Sequence, residues 1–162
     1  MSEATQFDII EQIGQDLEQV EVSLAASFET GAEDFNALIR PLSAAGGKRL
    51  RAQLCILVAL AGNSIQEERI KIAESVEMLH LATLIHDDVL DQAAIRRGES
   101  TIHTHKGNKI AILSGDYLFA KCFALVASLN STEYLKVFTH IITCLVEGEF
   151  MQMEDVYRID QG

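Results

Sequence analysis

Three aspartates close the apolar run Met78-Leu79-His80-Leu81-Ala82-Thr83-Leu84-Ile85-His86-Asp87-Asp88-Val89-Leu90-Asp91. At about 100° per residue, Asp87 and Asp91 share one helix face, one turn apart, with Asp88 beside them. Like charges at a helix C-terminus oppose its dipole and repel one another, so the arrangement asks for a positive group. Hard oxygens with room left for water suit Mg²⁺, which takes one or two carboxylates plus substrate phosphate oxygens. The bland alternative is a solvated acidic helix end. Two cationic sets nearby, Lys48-Arg49-Leu50-Arg51 and Arg96-Arg97-Gly98, weigh against it.

Lys48 and Arg51 are three apart and share a face, whereas Arg49 points elsewhere. They follow Gly46-Gly47 at a helix start, where backbone N–H groups are free and a diphosphate can approach closely. Arg96 and Arg97 are adjacent, so they face different sides and can serve two anions through planar guanidinium forks. His80 lies two turns deeper than Asp87 on the same face, either as a core histidine or as an anion ligand. Glu149 and Gln152 put polar groups inside an apolar helix, lining a cavity or facing solvent. His103-x-His105 lacks the third ligand that a zinc site needs. The sum fits an enzyme that binds two diphosphates, one through metal and one through cations. The apolar helix below the aspartates suits a hydrocarbon tail.

The elements that must carry these groups are helical. The chain has 162 residues, 48% of them apolar, with one proline, ten glycines and no tryptophan, which predicts one all-α domain over 1–162 with a large core. No charge-free apolar window of about 18 residues predicts a membrane span. The first residues lack signal-peptide features, which points to the cytoplasm. A net charge of −11 argues against a nucleic-acid partner. Cys55, Cys122 and Cys144 sit in apolar runs without ligand spacing and read as reduced core thiols.

Periodicity predicts an amphipathic helix over about 5–29 and a second to about Ser43, opened by a Thr30/Glu33 capping box. A third, apolar helix over Leu54 to Leu60 is closed by Gly62. A Ser64/Glu67 box opens the long helix to Asp91. Residues 92–107 read as a loop. Asn108 to Leu129 reads as a helix interrupted at Gly115-Asp116, and Asn130 with Glu133 caps a last helix to about Tyr157. No strand is expected.

With these residues in place, the chain resembles the trans-type polyprenyl diphosphate synthases, the catalytic subunit of the bacterial heptaprenyl-forming enzymes in particular. Gly46 to Arg51 matches the family's GGKRxR, His80 to Asp91 its HxxxLxHDDxxD, and Arg96-Arg97-Gly98 its RRG. Gly115 to Leu118 matches GDYL, and Gly148-Glu149 with Gln152 matches GExxQ. The resemblance runs over about 35–158 and implies an isoprenoid synthase helical bundle. It implies that Asp87 and Asp91, supported by Asp88, hold Mg²⁺ against an allylic diphosphate that Arg96 also contacts. Lys48, Arg51, His80 and Arg97 would bind isopentenyl diphosphate. The family's product-floor position, five before the first aspartate, is the small Ala82 here, so the product should pass it towards Leu79, Met78 and Ser75. That implies a medium-to-long product.

Two departures stand out. Ala52 replaces the family's usual proline, and the match covers only the family's front half, with no second aspartate-rich motif. The expectation is therefore one subunit of a split enzyme, with a second polypeptide supplying the rest. In the family the helix matching Asn108 to Leu129 contributes to a homodimer interface, which would give a heterotetramer. The alternatives are a non-catalytic substrate-binding or regulatory subunit, or a truncated fragment of a full-length synthase. A class I terpene cyclase would leave Lys48, Arg51 and His80 without a substrate.

Overall fold

The computed structural model describes residues 3–30, 33–44 and 47–158, with side chains over 8–30, 33–42 and 47–155; Gly46 lies outside the described residues. Within them the order is α1 (Glu3–Ser27), α2 (Glu33–Ala44), α3 (Leu50–Ala61), α4 (Gln66–Leu90), β1 (Ile95–Arg96), β2 (Glu99–Ser100), α5 (Ile102–Lys106), α6 (Asn108–Ala127) and α7 (Thr132–Arg158). The all-α expectation holds, apart from one short hairpin.

Helix α4 is the centre. Its Ala73 packs with Val20 of α1 and Ala52 and Ile56 of α3. Its Met78, Leu79, Leu81, Ala82 and Ile85 join a second cluster with Leu24, Phe28 and Ile39, and with Ala111, Leu118, Cys122 and Val126 of α6. Apolar residues on every side of one helix mark a buried helix.

The charges along α4 tie it to its neighbours. Arg69 pairs with the fully buried Asp16 of α1 and donates from Nη1 to Ser64 O at 3.1 Å. Ser23 and Ser27 donate to the buried Glu74 at 2.6 and 2.7 Å. Glu77 accepts from Arg49 at 3.1 Å and from the Ala52 N–H at 3.2 Å. Buried polar groups are tolerated when paired in this way.

Several expectations change. Helix α4 starts one residue late for a capping box: Ile65 is the N-cap, and no side chain caps the turn. The Thr30/Glu33 box falls partly outside the described residues; within them Thr30 meets Asn36, whose Oδ1 accepts from its N–H at 2.8 Å and its hydroxyl at 2.6 Å. Helix α7 opens at Thr132, and Asn130 instead adopts φ 52° in the turn before it. Helix α6 runs unbroken through Gly115-Asp116. It has the length and mean apolarity of a membrane span, yet its Ala111, Leu118, Cys122 and Val126 belong to the core beside α4. Of the cysteines, all free, Cys122 is buried and Cys55 half-buried, but Cys144 is exposed on α7. Burial pushes the Cys122 thiol up to about 12, which keeps it protonated.

Helix α7 is lopsided. Phe138 enters the core, and Tyr134 donates to Glu68 of α4 at 2.6 Å. Val137, Ile141, Leu145, Val146, Phe150, Met151 and Met153 remain exposed. They leave one side of α7 apolar and open to solvent.

Candidate active site

At the end of α4 the three aspartates part company. Asp88 is buried, and its Oδ1 accepts from Arg96 Nε at 2.6 Å. Asp87 is half-buried and Asp91 exposed. Burial raises the Asp87 carboxyl above its ordinary 3.8, and Glu149, Asp91 and Asp88 add to the rise while Arg96 opposes it. The influence of Glu149 brings the polar position of α7 to this site; Gln152, three residues on, is exposed. With Asp88 already paired, Asp87, Asp91 and Glu149 leave net negative charge. Among the described residues no three metal-ligating side chains form a ready cage. Hard oxygens in that number, with positions left for water and phosphate, fit Mg²⁺.

The segment after α4, expected as a loop, is a hairpin followed by a short helix. Register pairs Ile95 with Ser100 and Arg96 with Glu99, leaving Arg97-Gly98 as a two-residue turn. Both turn residues have positive φ, 53° and 85°, the type I′ geometry. Arg96 thus turns back to Asp88, and the Arg97 guanidinium lies 3.8 Å from where a Gly47 Cβ would stand. Gly98→Ala should cost about 1 kcal/mol. Since nothing lies within 4 Å of that Cβ, the cost is backbone strain alone, readable as a shift in the urea midpoint with an unchanged slope.

Of the cationic set, Arg49 goes inward, with φ 46° at the α3 N-cap, bound to Glu21 at 2.6 Å and to Glu77. Lys48 and Arg51 stay exposed. His80 is half-buried; burial lowers its pKa below 6.5, and Arg51, Arg97 and Arg96 push the same way against Glu77. Burial and the arginines' positive field together keep the imidazole neutral at pH 7. Between 6.5 and the lower folded value the unfolded chain binds more protons. The contribution of His80 is full above 6.5 and is lost as pH falls towards the folded value. Urea midpoints at about pH 7.5 and about pH 5.5 should therefore differ more for wild type than for His80→Gln.

Ser75, Met78, Leu79 and Ala82 are all buried. Cys122 Sγ donates to Ser75 O at 3.3 Å, which ties this stretch to α6. A cavity of about 700 Å³ opens on another face, between Leu38, Pro41 and Leu42 of α2 and Leu81, Leu84 and Ile85 of α4, with Arg96 and Arg97 among its lining. His86 carried no role in the sequence, yet its ring sits against Gly115.

A family model described as polyprenyl synthetase matches residues 32–161. A prenyl transferase of Porphyra purpurea is 39% identical over 92% of this chain and 47% of its own length. The crystal structure of polyprenyl synthase from Caulobacter crescentus, complexed with calcium and isoprenyl diphosphate, superposes with a TM-score of 0.83 at 34% identity, over 90% of this chain and 44% of that one. Heptaprenyl diphosphate synthase from Staphylococcus aureus gives 0.82 at 27%, over 88% and 46%. The chain spans about half the length of the relatives it matches.

Proposed function

The chain belongs to the polyprenyl synthetase family, and on that premise we propose that it is the diphosphate-binding front half of a trans-prenyltransferase. It joins isopentenyl diphosphate to an allylic diphosphate and gives a medium-to-long product. The observation that carries this is the hairpin's pair of arginines: Arg96 Nε binds Asp88 at 2.6 Å beside Asp87, and the Arg97 guanidinium lies 3.8 Å from where a Gly47 Cβ would stand, next to Lys48.

Asp87 and Asp91 would hold Mg²⁺, which when bound neutralises charge on the departing pyrophosphate. Arg96, its Nε committed to Asp88, turns its terminal nitrogens to the allylic diphosphate. Lys48, Arg51, Arg97 and the neutral His80 take the diphosphate of isopentenyl diphosphate. The allylic carbon–oxygen bond breaks with its electron pair leaving on pyrophosphate. The isopentenyl double bond attacks that carbon, and loss of a proton gives the trans alkene. The apolar wall of α4 keeps water from the cation. The small Ala82 leaves the chain-length limit to Leu79, Met78 and Ser75.

A second polypeptide carrying the other half, with its aspartate-rich motif, would complete the site, two of each forming a heterotetramer. The exposed apolar face of α7 supports this. The test is Mg²⁺-dependent incorporation of isopentenyl diphosphate by this chain alone and with a candidate partner, with chromatography of the product. Activity in the mixture only is expected. Full activity alone removes the split arrangement, none in either case favours a fragment or a regulator, and a farnesyl stop removes the product-length reading.

A further inference from the structure

We propose that His86 is a positioning residue that sets the direction of Asp87 by locking α4 to α6 through the gap at Gly115. The His86 Nε2 lies 3.1 Å from Ile112 O and 3.6 Å from Asp116 Oδ1, and the ring tilts against Phe119 at 5.5 Å between centroids. A carbonyl accepts only from a protonated nitrogen, so Nε2 carries the hydrogen. A Cβ at Gly115 would stand 2.2 Å from Nε2 and 2.4 Å from the neighbouring ring carbon. Any other residue there forces the ring out of its present place. Glycine is unfavourable inside a helix, so the ring gives this position its reason.

The lock sits where the site needs it. Helix ends fray, and α4 ends at Leu90. His86 holds the last turn to α6, and Asp88 holds it to the hairpin through Arg96. Asp87 lies between the two anchors, so neither its backbone nor its bearing is free to drift.

The inference rests on the reading that Asp87 and Asp91 hold a divalent cation. Its test is Mn²⁺ binding by the full chain, followed by the electron paramagnetic resonance of free ion, together with thermal unfolding. Asp87→Asn should weaken binding about tenfold or more, and His86→Ala and Gly115→Ala about tenfold, although neither residue touches the ion. His86→Gln, which can donate from a similar place, should recover most of the loss. Val126→Ala, a core change on α6 away from the site, should lower the melting temperature and leave affinity intact. Wild-type affinity in His86→Ala, or an equal loss in Val126→Ala, overturns the proposal alone. Absence of binding by the wild type, or indifference to Asp87→Asn, overturns the metal reading and the positioning role with it. Stability judges the interlock separately: Gly115→Ala should destabilise the wild type but not His86→Ala.

Discussion

Replacing Asp87 by asparagine should lower the proposed metal-dependent prenyl transfer by about a thousandfold and should stabilise the fold at neutral pH. The first effect follows from removing one of two carboxylates that would hold the ion against the departing charge, where single groups are worth about 10²–10³ in rate. The second follows from the raised pKa, caused by burial first and then by Glu149, Asp91 and Asp88. The folded state holds the Asp87 proton more tightly than the unfolded chain. Its contribution to stability is therefore greatest below 3.8 and declines as pH rises through the folded value. At neutral pH the ionised group is a burden that a neutral amide of the same shape removes. Rates measured with the partner present, and urea midpoints of this chain alone, read the two effects. Unchanged turnover, or a lower midpoint, would show that Asp87 is an ordinary surface carboxylate.

Glu77→Ala should destabilise the chain by about 3–5 kcal/mol, a large part of the stability of a domain this size. Side-chain exposure is 4% for Glu77 and 6% for Arg49, so neither group falls back on water when the other is lost. The Ala52 N–H loses its acceptor as well. Glu21 still pairs with Arg49, but at 43% exposure it holds the guanidinium from the rim. Chemical denaturation measures the loss. Arg49→Met combined with Glu77→Met should recover much of it, because two apolar side chains leave no buried charge. Recovery by the double variant separates desolvation from lost packing. Since Arg49 follows Gly47-Lys48, the single variant should also weaken isopentenyl diphosphate binding.

The motif-bearing residues were legible because their chemistry is local. Asp87 and Asp91 are one turn apart, and Lys48, Arg51 and Arg97 announce themselves by charge in an acidic chain. What stayed hidden depends on residues far apart in sequence. Arg69 and Asp16 are separated by 53 positions and Glu74 and Ser23 by 51, so periodicity alone makes each look like a solvated charge. Arg49 was rightly set apart from Lys48 and Arg51, but nothing local told of Glu21 and Glu77. The hairpin escapes the sequence because its strands are two residues long, too short for alternation. Its one signal was Arg97-Gly98, a glycine in the second place of a two-residue turn. Gly115 read as a helix breaker, whereas it makes room for a ring from another helix.

The ties along α4 make its length a tolerance problem. Arg69 and Glu74 tie it to α1, Glu77 to the start of α3 and Asp88 to the hairpin. Inserting or deleting one residue between Glu77 and Asp87 would rotate everything downstream by about 100° relative to everything upstream. Sliding could not restore both sets of bonds, and only a local bulge in the helix would bring them back. A substitution away from these ties leaves the register of α4 alone, whereas a change in its residue count sets one end of the helix against the other.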